Sequence, residues 1–354
     1  MVLLLAVAVG CTLWQRVNAR VKKLLLPENP LLVGYTDLPD KTQGVQLTPF
    51  EIIGWDGTPV QACKVHCTAG KDEMTPRQLT TLDLLAKAKP NELSGIDYAL
   101  VCVDWDHGIR SALPLAEQLA AAGIKCVLWE PRGKNSSRPW CTHGLHESRD
   151  IPLLIQALEK EAGRKDMIIA GVGQGFGAGL MLQAAAVEPR LRAVVAINPS
   201  SSLNKILKRA QVNAPMRELI GWRMSQLTGL EPFDIAAVKS AAAIDREVPV
   251  LIIYRQEEET ASSSQDDAVA IYTQLKSDGK RLLATRSEKD APDAATRTVI
   301  YSPEGGSREI LQEVEAELID NEEEIPVEAL LWLTEQVPAM QEHPLPATTP
   351  TPDR

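Results

Sequence analysis

The run Gly171-Val-Gly-Gln-Gly-Phe-Gly-Ala-Gly179 follows the short apolar stretch Met167-Ile-Ile-Ala170 and passes into Leu180 and Met181. An apolar run that enters a glycine cluster and leaves as a helical pattern predicts strand, sharp turn and helix. Gly171, Gly173 and Gly175 each permit a tight backbone or the close approach of another segment. Such a turn presents successive N–H groups at a helix start, where they face an anion or a developing negative charge.

The segments on either side alternate in kind. Before the glycines, Tyr98-Ala-Leu-Val-Cys-Val103 reads as a buried strand, 111–122 as a helix, Lys125-Cys-Val-Leu-Trp129 as a strand, 131–148 as a polar loop and 151–162 as a helix. After them come a helix at 178–187, a strand at 191–197, an insertion at 200–247 and a strand at 248–254. A helix at 265–278, a last strand at 296–302, a helix at 308–319 and a final helix at 327–337 complete the pattern. Further upstream, residues 50–66 read as two strands around an Asp56-Gly57 turn, and 75–95 as a helix and a loop. Strands alternating with helices predict a mostly parallel sheet covered on both faces, with its sites in the loops at the strand ends.

Charge and cysteine usage narrow the function classes. A formal net charge of −10 argues against a nucleic-acid partner. Of the 6 cysteines, Cys102 and Cys126 sit in apolar strands and read as inert buried thiols. Cys63 and Cys67 share one strand face while His66 points to the other, so no metal site is expected there. The segment 1–24 is apolar up to Trp14 apart from Thr12 and is followed by Arg16, Arg20, Lys22 and Lys23; it reads as a signal or anchor. That makes a membrane-associated or exported protein the expectation, with a cytoplasmic one as the alternative. Residues 25–47 read as a connector and 321–340 as a C-terminal helix. The Pro/Thr-rich tail 341–354 reads as disordered.

The order of these elements resembles the α/β-hydrolase fold, specifically bacterial serine hydrolases with an extended N-terminus and a small cap. The resemblance covers roughly 48–320, with 200–247 as the cap. It rests on Asp106-His-Gly108, Pro131-Arg-Gly133, Gly171-Val-Gly-Gln-Gly175, Val248-Pro-Val-Leu-Ile-Ile253 and Ser302-Pro-Glu-Gly-Gly-Ser307. In that family the serine of Gly-x-Ser-x-Gly is the nucleophile on a strained turn. With the motif set on Gly171 and Gly175, its centre is Gly173, which has no atom to attack a carbonyl. Ser307 stands where the resemblance implies the catalytic histidine, and Glu257 or Glu258 where it implies the acid. The oxyanion donors map to the N–H of Gln174 and to the loop at Gly108 or Ile109, which His107 orders.

The resemblance therefore implies a degenerate triad, in a chain kept for binding a small ester-, acyl- or peptide-like ligand or a protein partner. No cofactor is implied. Two alternatives stay open. Cys141, near His143 and His146 in sequence, suits a displaced nucleophile in an active hydrolase. Gly173, Gly175 and Ala178 also fit a dinucleotide fingerprint, with Asn198 where a ribose-binding acid is expected.

Overall fold

The computed structural model describes residues 2–25, 41–42, 44–68, 74–87, 95–102, 109–132, 141–232, 236–255, 264–286, 295–301, 312–319 and 325–342. Its centre is a sheet of eleven strands in the order β1-β2-β3-β5-β4-β6-β7-β8-β9-β11-β10. In chain order these are β1 (Lys41–Thr42), β2 (Val45–Ile53), β3 (Pro59–Cys67), β4 (Tyr98–Cys102), β5 (Lys125–Trp129) and β6 (Ile169–Gln174). They continue with β7 (Leu191–Ile197), β8 (Val250–Tyr254), β9 (Arg281–Thr285), β10 (Thr296–Tyr301) and β11 (Gln312–Ile319). The strands from β5 to β11 pair in parallel. Antiparallel pairs flank that run: β1, β2 and β3 at one edge and β10 at the other.

The central strands are buried on both faces, as their unbroken apolar runs require. Leu100, Val127, Ile169, Val194 and Ile252 face a core closed by α4 (Ile151–Ala162), α5 (Phe176–Ala185) and α9 (Gln265–Gln274). Their neighbours Val101, Leu128, Ala170, Val195 and Leu251 face the opposite core, under α3 (Ile109–Ala121) and α10 (Ile325–Glu342). Alternate residues thus serve alternate layers, the period-2 geometry of a strand. The helix α2 (Pro76–Lys87) lies beside α3.

Between β7 and β8 the chain forms α6 (Leu203–Arg209), α7 (Ala214–Thr228) and α8 (Ala237–Ala241). These helices bear on the N-terminus, where the sequence expectation is overturned. Residues 2–25 form one helix, α1 (Val2–Leu25). Among the described residues no helix is long and apolar enough to cross a membrane, which contradicts a membrane-anchored start. Instead Val17, Val21 and Leu25, spaced one helical turn apart, are buried against Leu203 and Leu207 of α6 and Ile220 and Met224 of α7. Arg16, Arg20, Lys22 and Lys23 lie on the exposed face of the same helix. Arg223 fixes the contact by donating from Nε to Asn18 Oδ1 at 3.0 Å and lying over the Trp14 ring.

Two further readings change at the far side of the sheet. The strand β9 has no counterpart in the expected pattern, and residues 312–319 are a strand rather than part of a helix. In Gln312-Glu-Val-Glu-Ala-Glu-Leu-Ile319 every second residue is apolar, and Ala316 is buried while Glu315 is exposed. The period-2 signal was present; the high helix propensity of Ala, Glu and Leu masks it.

Candidate functional site at the glycine turn

The strands β4, β6, β7, β8 and β9 all point their C-terminal ends the same way, and β6 is flanked by β4 and β7. Gly173 pairs with Cys102 on one side and Ala196 on the other, so it lies inside the sheet. A Cβ there would lie 2.3 Å from the Gly177 carbonyl oxygen and 2.5 Å from the Ala178 nitrogen. Helix α5 begins so close to the strand that position 173 admits no side chain.

The turn itself is one step further on. Gly175 has φ 55° and ψ −114°, and α5 starts at the next residue, Phe176. A non-glycine residue adopts that conformation only under strain. The Gly175 N–H is fixed by the Ile197 carbonyl at 2.8 Å, and its own carbonyl accepts from Gly179 at 3.3 Å. The apex is therefore Gly175, within Gly173-Gln-Gly-Phe-Gly177, not Gly173 as the sequence frame had it. Gln174 is the last residue of β6, ahead of the apex, and the N–H that follows the apex belongs to Phe176. The signal for this frame was present, because Gly177 supplies the motif's second glycine; five alternating glycines simply offered three registers.

Phe176 is buried and packs edge-on against His143, with ring centroids 5.9 Å apart. His143 reaches this place on a loop wound around a buried carboxylate. Glu147 accepts from Thr142 N at 2.7 Å, Thr142 Oγ1 at 2.7 Å and Gly144 N at 2.8 Å. Gln183 of α5 donates to the His143 carbonyl at 3.2 Å, and His143 itself adopts φ 55°. Burial holds the imidazole down at about 4, although a hydrogen bond to the Leu24 backbone pulls the other way. The ring is therefore neutral near pH 7.

Cys141 is fully buried. Its N–H donates to the Leu25 carbonyl at 2.9 Å, and His143 meets its sulfur through a backbone N–H at 3.5 Å. His146 instead sets its ring edge-on to Trp55 at 4.8 Å, and burial lowers its pKa. The loop thus ties the end of α1 to the start of α5. A reactive cysteine needs access, and this one has none in the structure.

Over the other side of the turn lies the segment 200–202. Ser201 donates to the fully buried carboxylate of Asp267, which Arg209 also meets and Lys205 approaches at 3.5 Å. Arg209 additionally donates to Ser264 Oγ at 2.6 Å, and Arg217 to the Val212 carbonyl at 2.7 Å. Lys205, Arg209 and Arg217 are thus engaged in contacts within the fold. Between His143, Phe176, Gly179, Ser200 and Ile206 the described residues enclose about 20 Å³, room for about one water.

His107, Gly108, Glu257, Glu258 and Ser307 lie outside the described residues, and Ile109 opens α3. The topology nonetheless shows where their segments attach. The strand that follows β8 in the sheet is β9, so the connection leaving its C-terminal end begins at Arg286. Ser307 belongs to the connection between the antiparallel pair β10 and β11 at the sheet's edge. The Pro131-Arg132 pair at the end of β5 has a structural use. Buried Arg132 grips Asp150 through Nε and Nη2, both at 2.5 Å, and Asp56 through Nη1 at 2.5 Å, tying the β2–β3 turn to the start of α4. Asn198, in the place of a ribose-binding acid, accepts from Arg255 N at 2.7 Å and donates its own N–H to Ile253, so it joins β7 to β8.

No protein-family model matches the sequence, and no curated protein does. Solved structures do. A Pyrococcus furiosus esterase in one crystal form superposes with a TM-score of 0.52 at 16% identity, covering 73% of this chain and 89% of that one. A second form gives 0.52 at 15% identity, over 75% and 89%. The chain has the α/β-hydrolase fold. At that identity the likeness establishes the fold alone, and the β6–Gly175–α5 turn has the strand–turn–helix shape that the elbow has in that fold.

Proposed function

We propose that this α/β-hydrolase-fold chain has lost serine-hydrolase catalysis and works by binding, either a small ester-, acyl- or peptide-like ligand or a protein partner. The observation that carries this reading is the glycine at the apex of the elbow. The fold holds the strained conformation at Gly175, yet glycine has no hydroxyl or thiol to present, so the step that forms an acyl-enzyme has no attacking atom. The base is missing on either placement. The histidines are His66, His107, His143, His146 and His343, and neither residues 286–290 nor Ser307 supplies one. The acidic chain speaks against nucleic acid.

A second reading, an active esterase- or peptidase-like hydrolase with a displaced nucleophile, is the one the comparisons favour, since the superposed structures are of an esterase. Cys141 is its named candidate. The two readings part in an assay of the purified full chain with p-nitrophenyl esters of increasing acyl length. Non-catalysis predicts rates equal to those with the heat-unfolded protein. Turnover that disappears in Cys141→Ala but survives in Cys102→Ala establishes the second reading instead.

A further inference from the structure

We infer that the groove between β2 and α4 binds an extended acidic peptide by strand addition. This inference is independent of the elbow. The groove measures about 700 Å³, and one wall is formed by Glu51, Ile52 and Ile53 at the end of β2. Among the described residues β2 has a neighbour along its outer edge only at Val45 and Gln46, where β1 pairs with it.

Which backbone groups face that edge follows from the hairpin. Thr42 pairs with Val45 across a two-residue turn, so Val45 directs its N–H and C=O toward β1. Leu47, Pro49, Glu51 and Ile53 share its parity and face the same way. Proline at 49 agrees, because a residue without an N–H is tolerated in a sheet where that position faces the open edge. Pro49 also blunts the edge near its start, leaving Glu51 and Ile53 to offer both donor and acceptor. These are the residues that line the groove.

The opposite wall is one face of α4. Leu153, Ala157 and Lys160 recur at helical spacing, and Ile52 of β2 lies on the same side of the sheet as Leu153 and Ala157. Charge decides what kind of strand fits. Glu159 is engaged by Arg190, and Arg164 by Asp97 and Asp166. Glu51 accepts from Gln61. Lys160 and Lys165 are exposed, and no ion pair holds either among the described residues. A strand with apolar side chains toward Leu153 and Ala157 and carboxylates toward these lysines satisfies both walls, the edge's hydrogen bonds giving affinity and the side chains selectivity.

The test uses the full chain and the fluorescein-labelled peptide Thr-Val-Thr-Val-Thr-Glu-Thr-Glu, in which one face of the strand carries the valines and then the glutamates. Saturable binding is expected, with the amides of Glu51 and Ile53 gaining protection from hydrogen exchange. Lys160→Glu with Lys165→Glu should weaken binding by about tenfold, and Ala157→Arg, which fills the helix wall, should abolish it. A peptide N-methylated on alternate residues should not bind. The inference is overturned by absent binding, by equal binding of a valine–lysine peptide, or by undiminished binding in the lysine variants. Slow exchange of Glu51 and Ile53 in the free protein also overturns it, because the chain's own residues 26–40 would then already cover the edge.

Discussion

At the glycine turn, each position asks for glycine for its own reason, and substitutions separate the reasons. Gly173→Ala drives a Cβ into the Gly177 carbonyl, so urea denaturation should show a loss of about 3 kcal/mol or more, because backbone rather than a flexible side chain must give way. Gly175→Ser pays for a positive φ and should lose only about 1–3 kcal/mol. Equal losses at the two sites would contradict the assignment of the apex to Gly175. That assignment was half legible in the sequence: the alternating glycines announced a turn, but only backbone angles choose between registers two residues apart.

Two buried ionisable groups make a second prediction. His143 titrates near 4 instead of 6.5 because of burial. Its folded form stays unprotonated where the unfolded chain takes up a proton, so stability falls as pH drops from 6.5 toward 4, by roughly 3 kcal/mol. Burial raises Glu117 from 4.5 to about 7. There the folded state keeps a proton that the unfolded chain releases, so stability falls as pH rises through that window, by a similar amount. The two slopes oppose each other between pH 4.5 and 6.5. Relative to the natural protein, the urea midpoint should rise more steeply with pH in Glu117→Gln and less steeply, or fall, in His143→Gln. Parallel profiles in all three proteins would refute the account.

Among the elements, α1 shows how an apolar start can mislead. Val17, Val21 and Leu25 form a buried stripe on a helix whose other faces carry Arg16, Arg20, Lys22 and Lys23. Composition registers an apolar run up to Trp14 and the basic residues after it, whereas what the helix packs on is a tertiary fact. Val21→Asp places a charge in the small core shared by α1, α6 and α7, and should undock α1 at a cost of about 3 kcal/mol. Hydrogen exchange should quicken in α1, α6 and α7 and stay slow in β6, β7 and β8. Uniform loss of protection would show that these helices are not a separate cooperative unit. The strands of the parallel core were readable because burial on both faces leaves continuous apolar runs. At the far edge, β9 offered only five residues, and β11 alternates Glu with apolar residues of high helix propensity.

For the whole molecule, the fold was legible from element order, and the superposition on an esterase agrees with it. What the molecule does turns on one atom that Gly175 lacks. The most direct measurement is titration of the full chain with a fluorophosphonate probe, followed by mass spectrometry of the intact protein. The account predicts no stoichiometric adduct, and the same trace labelling before and after heat unfolding. One adduct per chain, lost on heat unfolding, would contradict it and establish a working nucleophile in this fold.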